Sequence, residues 1–326
     1  MATYKGIQGF TIQNLSADPS NPIEGQVWYN STSNVWKVTE ATTAGAWASG
    51  NPLNTARKSL AGAGTQTVAL AFGGDTPPGV TNTAATEEYD GTSWANNPTG
   101  LNTARRFLAG AGTQTAALAF GGIDTVNLGA TEEYDGSSWA NNPTGLATAR
   151  YGLAGAGTQT AGLAFGGQIP PNTGATEEYD GSTWTTGGTM GSARRYLAGC
   201  GLQTAGLAVG GNITGVQNIT EEYDGASWTA GGTLNTARQL LSGAGLQTAA
   251  LAFGGEVPPV TGATEEYDGT SWATSPGSLN TSRARLAGCG TQTAGLASGG
   301  ITTTQVANTE EWTGPGALIT KTITVS

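Results

Sequence analysis

One block of sequence returns six times along this chain. It reads TARRFLAGAGTQTAALAFGG from Thr103 to Gly122, passes through a short variable loop, and continues as ATEEYDGSSW from Ala130 to Trp139. The leading arginine recurs at Arg57, Arg105, Arg150, Arg194, Arg238 and Arg283, at intervals of 48, 45, 44, 44 and 45 residues. Each copy closes its apolar run on a glycine pair, from Gly73/Gly74 to Gly299/Gly300. A fixed period of this size means one supersecondary unit per copy, too small to bury its apolar face alone and therefore packed on its neighbours.

Within a copy, residues 108–112 and 116–120 are runs of strand length, with Gly-Thr-Gln supplying the turn between them. Leu118 and Phe120 fall on one face of the second run, and Ala117 and Ala119 on the other, which is a period of two and not of 3.6. After the glycine pair come Glu132-Glu133-Tyr134, an Asp135-Gly136 turn and Trp139. Asp-Gly between short apolar runs predicts a hairpin, because the turn needs backbone torsions that both residues tolerate. Four strands per copy follow, and six such units predict an all-β, six-bladed propeller. The first strand of each unit crowds the axis, which accounts for the Gly/Ala runs LAGAG, LAGCG and LSGAG.

The order of hydrophobic strand, Gly-Gly, Tyr, Trp and Arg resembles the kelch repeat over roughly residues 47 to 313. That resemblance implies a kelch-like propeller and no function by itself, since such propellers serve as enzymes and as binding modules. Trp47 precedes Arg57 at the spacing the repeat tryptophans keep, without three strands ahead of it, while the sixth copy ends at Trp312 without a fourth strand. A strand near Trp47 is therefore expected to complete the last blade. The expected organisation is a short N-terminal extension, 1–34, followed by the propeller, 35–326. The tail 317–325 alternates like one more strand, which either seals the same seam or pairs with the N-terminal hairpin.

Asn21 to Val38, NPIEGQVWYNSTSNVWKV, contains two strand-like runs around a turn and resembles a segment common in tail-fibre and other structural proteins of tailed phages. That resemblance implies a virion protein, extracellular after host lysis, with the extension docking on other virion proteins. No apolar leader or membrane-spanning stretch is visible, so membrane insertion is not expected.

Charge and chemistry narrow the function. The net charge is −10, and twelve repeat glutamates with five turn aspartates make seventeen of the 23 acidic residues. Acidity is thus mostly a repeated structural feature, which argues against nucleic acid as a partner. The chain has no histidine, which removes the usual general base and the commonest metal ligand. No catalytic residue, metal site or cofactor is expected. Cys200 and Cys289 replace a repeat alanine and are read as small buried thiols. The six repeat arginines could gather on an anion, but a residue needed in every copy is better read as structural, each pairing with a repeat glutamate.

The copies differ most at the two residues after the repeat arginine: Lys58/Ser59, Arg106/Phe107, Tyr151/Gly152, Arg195/Tyr196, Gln239/Leu240 and Ala284/Arg285. Loops after the glycine pair vary too. Strand parity places these variable segments at one end of the propeller and the constant GTQT and Asp-Gly turns at the other. Lys58, Arg106, Phe107, Tyr151, Arg195, Tyr196 and Arg285 are therefore the expected ligand-binding residues, on a face with exposed aromatics. The expected partner is a host-surface polysaccharide or protein, bound by a non-enzymatic tail-fibre or receptor-binding protein. A capsid or tail decoration protein with no receptor role is the alternative.

Overall fold

The computed structural model describes residues 13–20, 23–41, 44–78, 80–316 and 318–323, and every regular element in it is a strand. Two compact units emerge, one from residues 46–313 and one from 1–45 with 314–326. The repeat unit thus begins at Ala46 and not at residue 35. Val35–Ala41 is taken by the smaller unit, where it pairs with Val27–Asn30 on one side and with the tail strand Leu318–Ile323 on the other. The tail therefore joins the N-terminal hairpin. Gln13–Leu15 adds a parallel edge strand to give a four-stranded sheet. Its centre is the fully buried Trp28, whose Nε1 donates to Asp18, as do Asn30 and Lys37.

The repeat unit contains six four-stranded antiparallel sheets and is propeller-like. In the second copy the strands are Ala109–Gly112, Ala117–Phe120, Thr131–Tyr134 and Trp139–Asn142, in sequence order across the sheet. The innermost strands touch their neighbours around a complete cycle, the last (Ala287–Gly290) returning to the first (Ala61–Gly64). The sheet of the sixth copy takes its fourth strand, Ala46–Gly50, from ahead of the first repeat, with Trp47 opposite Trp312.

The period-two pattern explains how sheets stack. Leu70 and Phe72 of the first sheet pack on Ala117, Ala119, Tyr134 and Trp139 of the second, and Leu118 and Phe120 of the second pack on Ala164 and Tyr179 of the third. Each second strand thus turns a large face to one neighbour and a small face to the other, and is buried on both. The phenylalanine reaches so far that a Cβ on the next inner strand would meet it: the added atom would stand 2.6 Å from the Phe72 ring at Gly110 and 2.7 Å from Phe120 at Gly155.

Polar side chains tie the same surfaces. Each repeat arginine is fully buried and pairs with the first glutamate of its own sheet, at 2.7 Å for Arg105–Glu132 and 3.1 Å for Arg57–Glu87. Burial pulls the arginine pKa values down and the glutamates oppose it. The second glutamate works between sheets: Glu88 accepts from Tyr134 of the next copy, and Glu311 from Tyr89 across the closure. Every repeat tryptophan donates from Nε1 to a threonine of the preceding sheet, as in Trp139 to Thr86 at 2.9 Å and Trp47 to Thr264 at 2.8 Å. Gln114 in the constant turn brackets the preceding sheet by donating to the carbonyls of Ala69 and Tyr89, and Gln159 does the same to Ala117 and Tyr134. These glutamines are structural brackets, not free surface side chains. Of the two cysteines, Cys200 is buried but Cys289 is only half-buried.

Candidate functional site

The second of the two variable residues in each copy stands where the chain enters the innermost strand. There the backbone closes a ring of six hydrogen bonds: Ser59 donates to Arg285, Arg285 to Leu240, Leu240 to Tyr196, Tyr196 to Gly152, Gly152 to Phe107, and Phe107 to Ser59, all at 2.7 to 2.9 Å. Aiming N–H at one neighbour and C=O at the other puts each of these residues in the left-handed region, with φ between 52° and 62°. Glycine takes that conformation freely, whereas a side chain there costs about 1–2 kcal/mol. Among the described residues of the repeat unit, every other positive-φ position is glycine; only Ser59, Phe107, Tyr196, Leu240 and Arg285 are not.

The first variable residue of each copy forms an isolated bridge with the residue after the glycine pair, as Tyr151 does with Gln168 and Arg195 with Asn212. This holds the loop against the mouth of the ring. Neighbouring loops are also laced together: Asn82 donates to Asp124, Asn127 to the Gln168 carbonyl, and Asn172 to the carbonyls of Asn212 and Ile213. A central cavity opens at the mouth, lined by Ser59, Phe107, Tyr196, Leu240 and Arg285 and by the small residues of the inner strands below them.

Three copies bring their aromatics together. The Phe107 and Tyr196 ring centroids are 5.2 Å apart, Phe107 and Tyr151 6.1 Å, and Tyr151 and Tyr196 6.3 Å. The rings are half-buried against one another, not freely exposed as the sequence predicted. Two guanidiniums border the cluster, Arg195 with its Cζ 4.8 Å from the Tyr196 centroid and Arg285 5.5 Å from that of Phe107. Burial raises the Tyr196 phenol pKa and the neighbouring Tyr151 adds to it, while Arg195 and Arg285 pull it the other way. Gln168 joins two copies by accepting from both the Tyr151 hydroxyl and Arg195. Lys58 lies in the first copy, 3.5 Å from the buried Asp75, and Arg106, next to Phe107 in the second copy, turns to Asn82 of the first and donates to it at 2.8 Å.

All seven residues singled out by variability are therefore in the ring-mouth region, five of them in one contiguous cluster. Gln168, Asn82 and Asp75 were missed, although they too vary between copies. For Asp75 and Gln168 the signal was the position directly after the glycine pair, which the bridges show to be part of the mouth; Asn82 lies farther along the same variable loop, opposite Asp75. No protein-family model matches this chain, and no curated protein is significantly similar to it.

Proposed function

We propose that the repeat unit is a six-bladed, kelch-like β-propeller acting as a non-enzymatic recognition module of a tailed-phage particle, with the ring mouth binding a host-surface glycan or protein. The observation that carries this reading is the backbone at the mouth. A chain that places glycine at its other left-handed repeat positions keeps a phenylalanine, a tyrosine, a leucine and an arginine there, against a conformational penalty. The fold has no need of those side chains, since Gly152 closes the same ring without one. Side chains kept at such a cost, varying between copies and including aromatics beside arginines, are what a binding surface contains. The virion assignment rests on the Asn21 to Val38 resemblance, and the smaller unit is the part proposed to join the particle.

The test replaces Phe107, Tyr196 and Arg285 together by glycine, as at Gly152. The variant is expected to keep the circular-dichroism spectrum of the parent and to lose binding to host cells and to a glycan array. Leu202→Thr with Leu246→Thr, which restores the residue found at the same turn in the other copies, is the control at the opposite end and is expected to bind normally. If the mouth variant binds as well as the parent, the decoration reading replaces this one.

A further inference from the structure

The acidic chain has distributed its cations unevenly. Of the ten lysines and arginines between residues 46 and 313, six are the buried repeat arginines, and the other four are Lys58, Arg106, Arg195 and Arg285. All of the non-structural cations of the repeat unit therefore stand in the mouth region. Lys58 has Asp75 beside it, but Arg106, Arg195 and Arg285 have no carboxylate partner among the described residues. The mouth loops also carry Asp75, Asp124 and Glu256, but the far end carries the five exposed turn aspartates and none of these four cations, so the cations outside the buried pairs are confined to one end of the repeat unit. A chain with this surplus of acid had partners available for those arginines. Leaving them without carboxylates at one end, with Arg285 lining the central cavity and Arg195 beside Tyr196 of the same cavity, provides cations that an anion can neutralise.

We infer that the mouth binds an acidic saccharide, its anionic group held between Arg195 and Arg285 and a sugar ring set against Tyr196 and Phe107. The inference rests on the mouth being the recognition site. Two guanidiniums around one aromatic pair supply forked donors that suit a carboxylate or a sulfate ester. Aromatic faces suit the C–H face of a pyranose, and the amide nitrogen of Gln168 suits its hydroxyls; a bare inorganic anion would use neither. Arg195 is positioned for this by Gln168, and Arg285 by the Phe107 face.

The experiment is calorimetric titration of the full chain with oligogalacturonate, with its neutral methyl ester, and with dextran sulfate beside plain dextran. An acidic form is expected to bind about ten- to a hundred-fold more tightly than its neutral counterpart, the range for charge-assisted hydrogen bonds. Binding should weaken as salt is raised. Which acidic probe binds separates carboxylate from sulfate ester. Arg195→Gln with Arg285→Gln should erase the preference for charge, Tyr196→Leu should weaken acid and ester alike, and the Leu202→Thr, Leu246→Thr control should change nothing. Equal affinity for charged and neutral forms overturns the inference. If the mouth variants lose cell binding while no acidic saccharide binds, the recognition reading stands and the saccharide is wrong. Binding of poly-glutamate in place of every saccharide would instead identify an acidic protein as the partner.

Discussion

Trp47 and Trp312 face each other across a single antiparallel ladder, their ring centroids 5.4 Å apart, although one precedes the first repeat and the other ends the last. Trp47 also lies 4.9 Å from the Phe253 ring, and Asn280 donates to its carbonyl at 3.2 Å. The N-terminal strand thus fastens the sixth sheet to the fifth. Trp47→Ala is expected to destabilise the repeat unit by about 3–5 kcal/mol, the usual result of truncating a buried tryptophan. Denaturant unfolding checks it, and an unchanged midpoint would mean that the seam holds without this strand.

The glycines of the inner strands differ in what they must avoid. A Cβ at Gly110 would stand 2.6 Å from the Phe72 ring, whereas at Gly243, where Val209 takes the place of phenylalanine, the nearest atom is Ala198 Cβ at 3.5 Å. Gly110→Ala is expected to cost about 1–3 kcal/mol through overpacking. Gly243→Ala should be neutral or stabilising by up to about 1 kcal/mol, through the lower entropy of the unfolded chain. Equal melting temperatures for the two variants would contradict the packing described.

Arg150→Ala leaves Glu177 buried without its cation. A loss of about 3–5 kcal/mol is expected. Arg150→Met combined with Glu177→Gln, which removes both charges and keeps an acceptor for the Ala147 N–H, should recover part of it. A double variant no more stable than Arg150→Ala would show that the backbone contacts of the guanidinium, and not charge balance, dominate.

Acid should weaken the turns. The Asp135 carboxyl is held down at about 2, from 3.8, by the Ser138 N–H, then by the hydroxyl and N–H of Ser137; Asp180 is held down at about 2 by Thr183 and Ser182. Because the pKa is lower in the folded chain, the unfolded chain takes up the proton first as pH falls. The stabilisation is therefore complete above about pH 4 and is lost towards about pH 2. Asp135→Asn with Asp180→Asn should lower the melting temperature by a nearly constant amount from neutral pH to about 4, and by progressively less as the pH falls through about 2. A difference that persists at the acid end would assign these residues a role other than this one.

The sequence alone determined the repeating unit and its closure. Period-two alternation, Asp-Gly turns and a glycine pair are local signals, and they specify four strands per copy; a surplus tryptophan at one end and a missing strand at the other pointed to a closing strand near Trp47, which the structure bounds as Ala46–Gly50. The variable pairs marked the candidate residues because six copies in one chain can be compared directly. Tertiary structure decided the rest. Nothing local to Phe107 or Tyr196 predicts a left-handed backbone, which arises because each residue must bond to both neighbours around a six-membered ring. Whether an aromatic stands in solvent or packs on two others depends on residues 44 and 89 positions away along the chain, brought together only when sheets stack. For the same reason Gln114 reads from the sequence only as part of the Gly-Thr-Gln turn, its partners lying in the preceding copy. The pairing of the tail with Val35–Ala41 was likewise open in the sequence, because an alternating strand fits any free edge and only the assembled fold shows which edge is free.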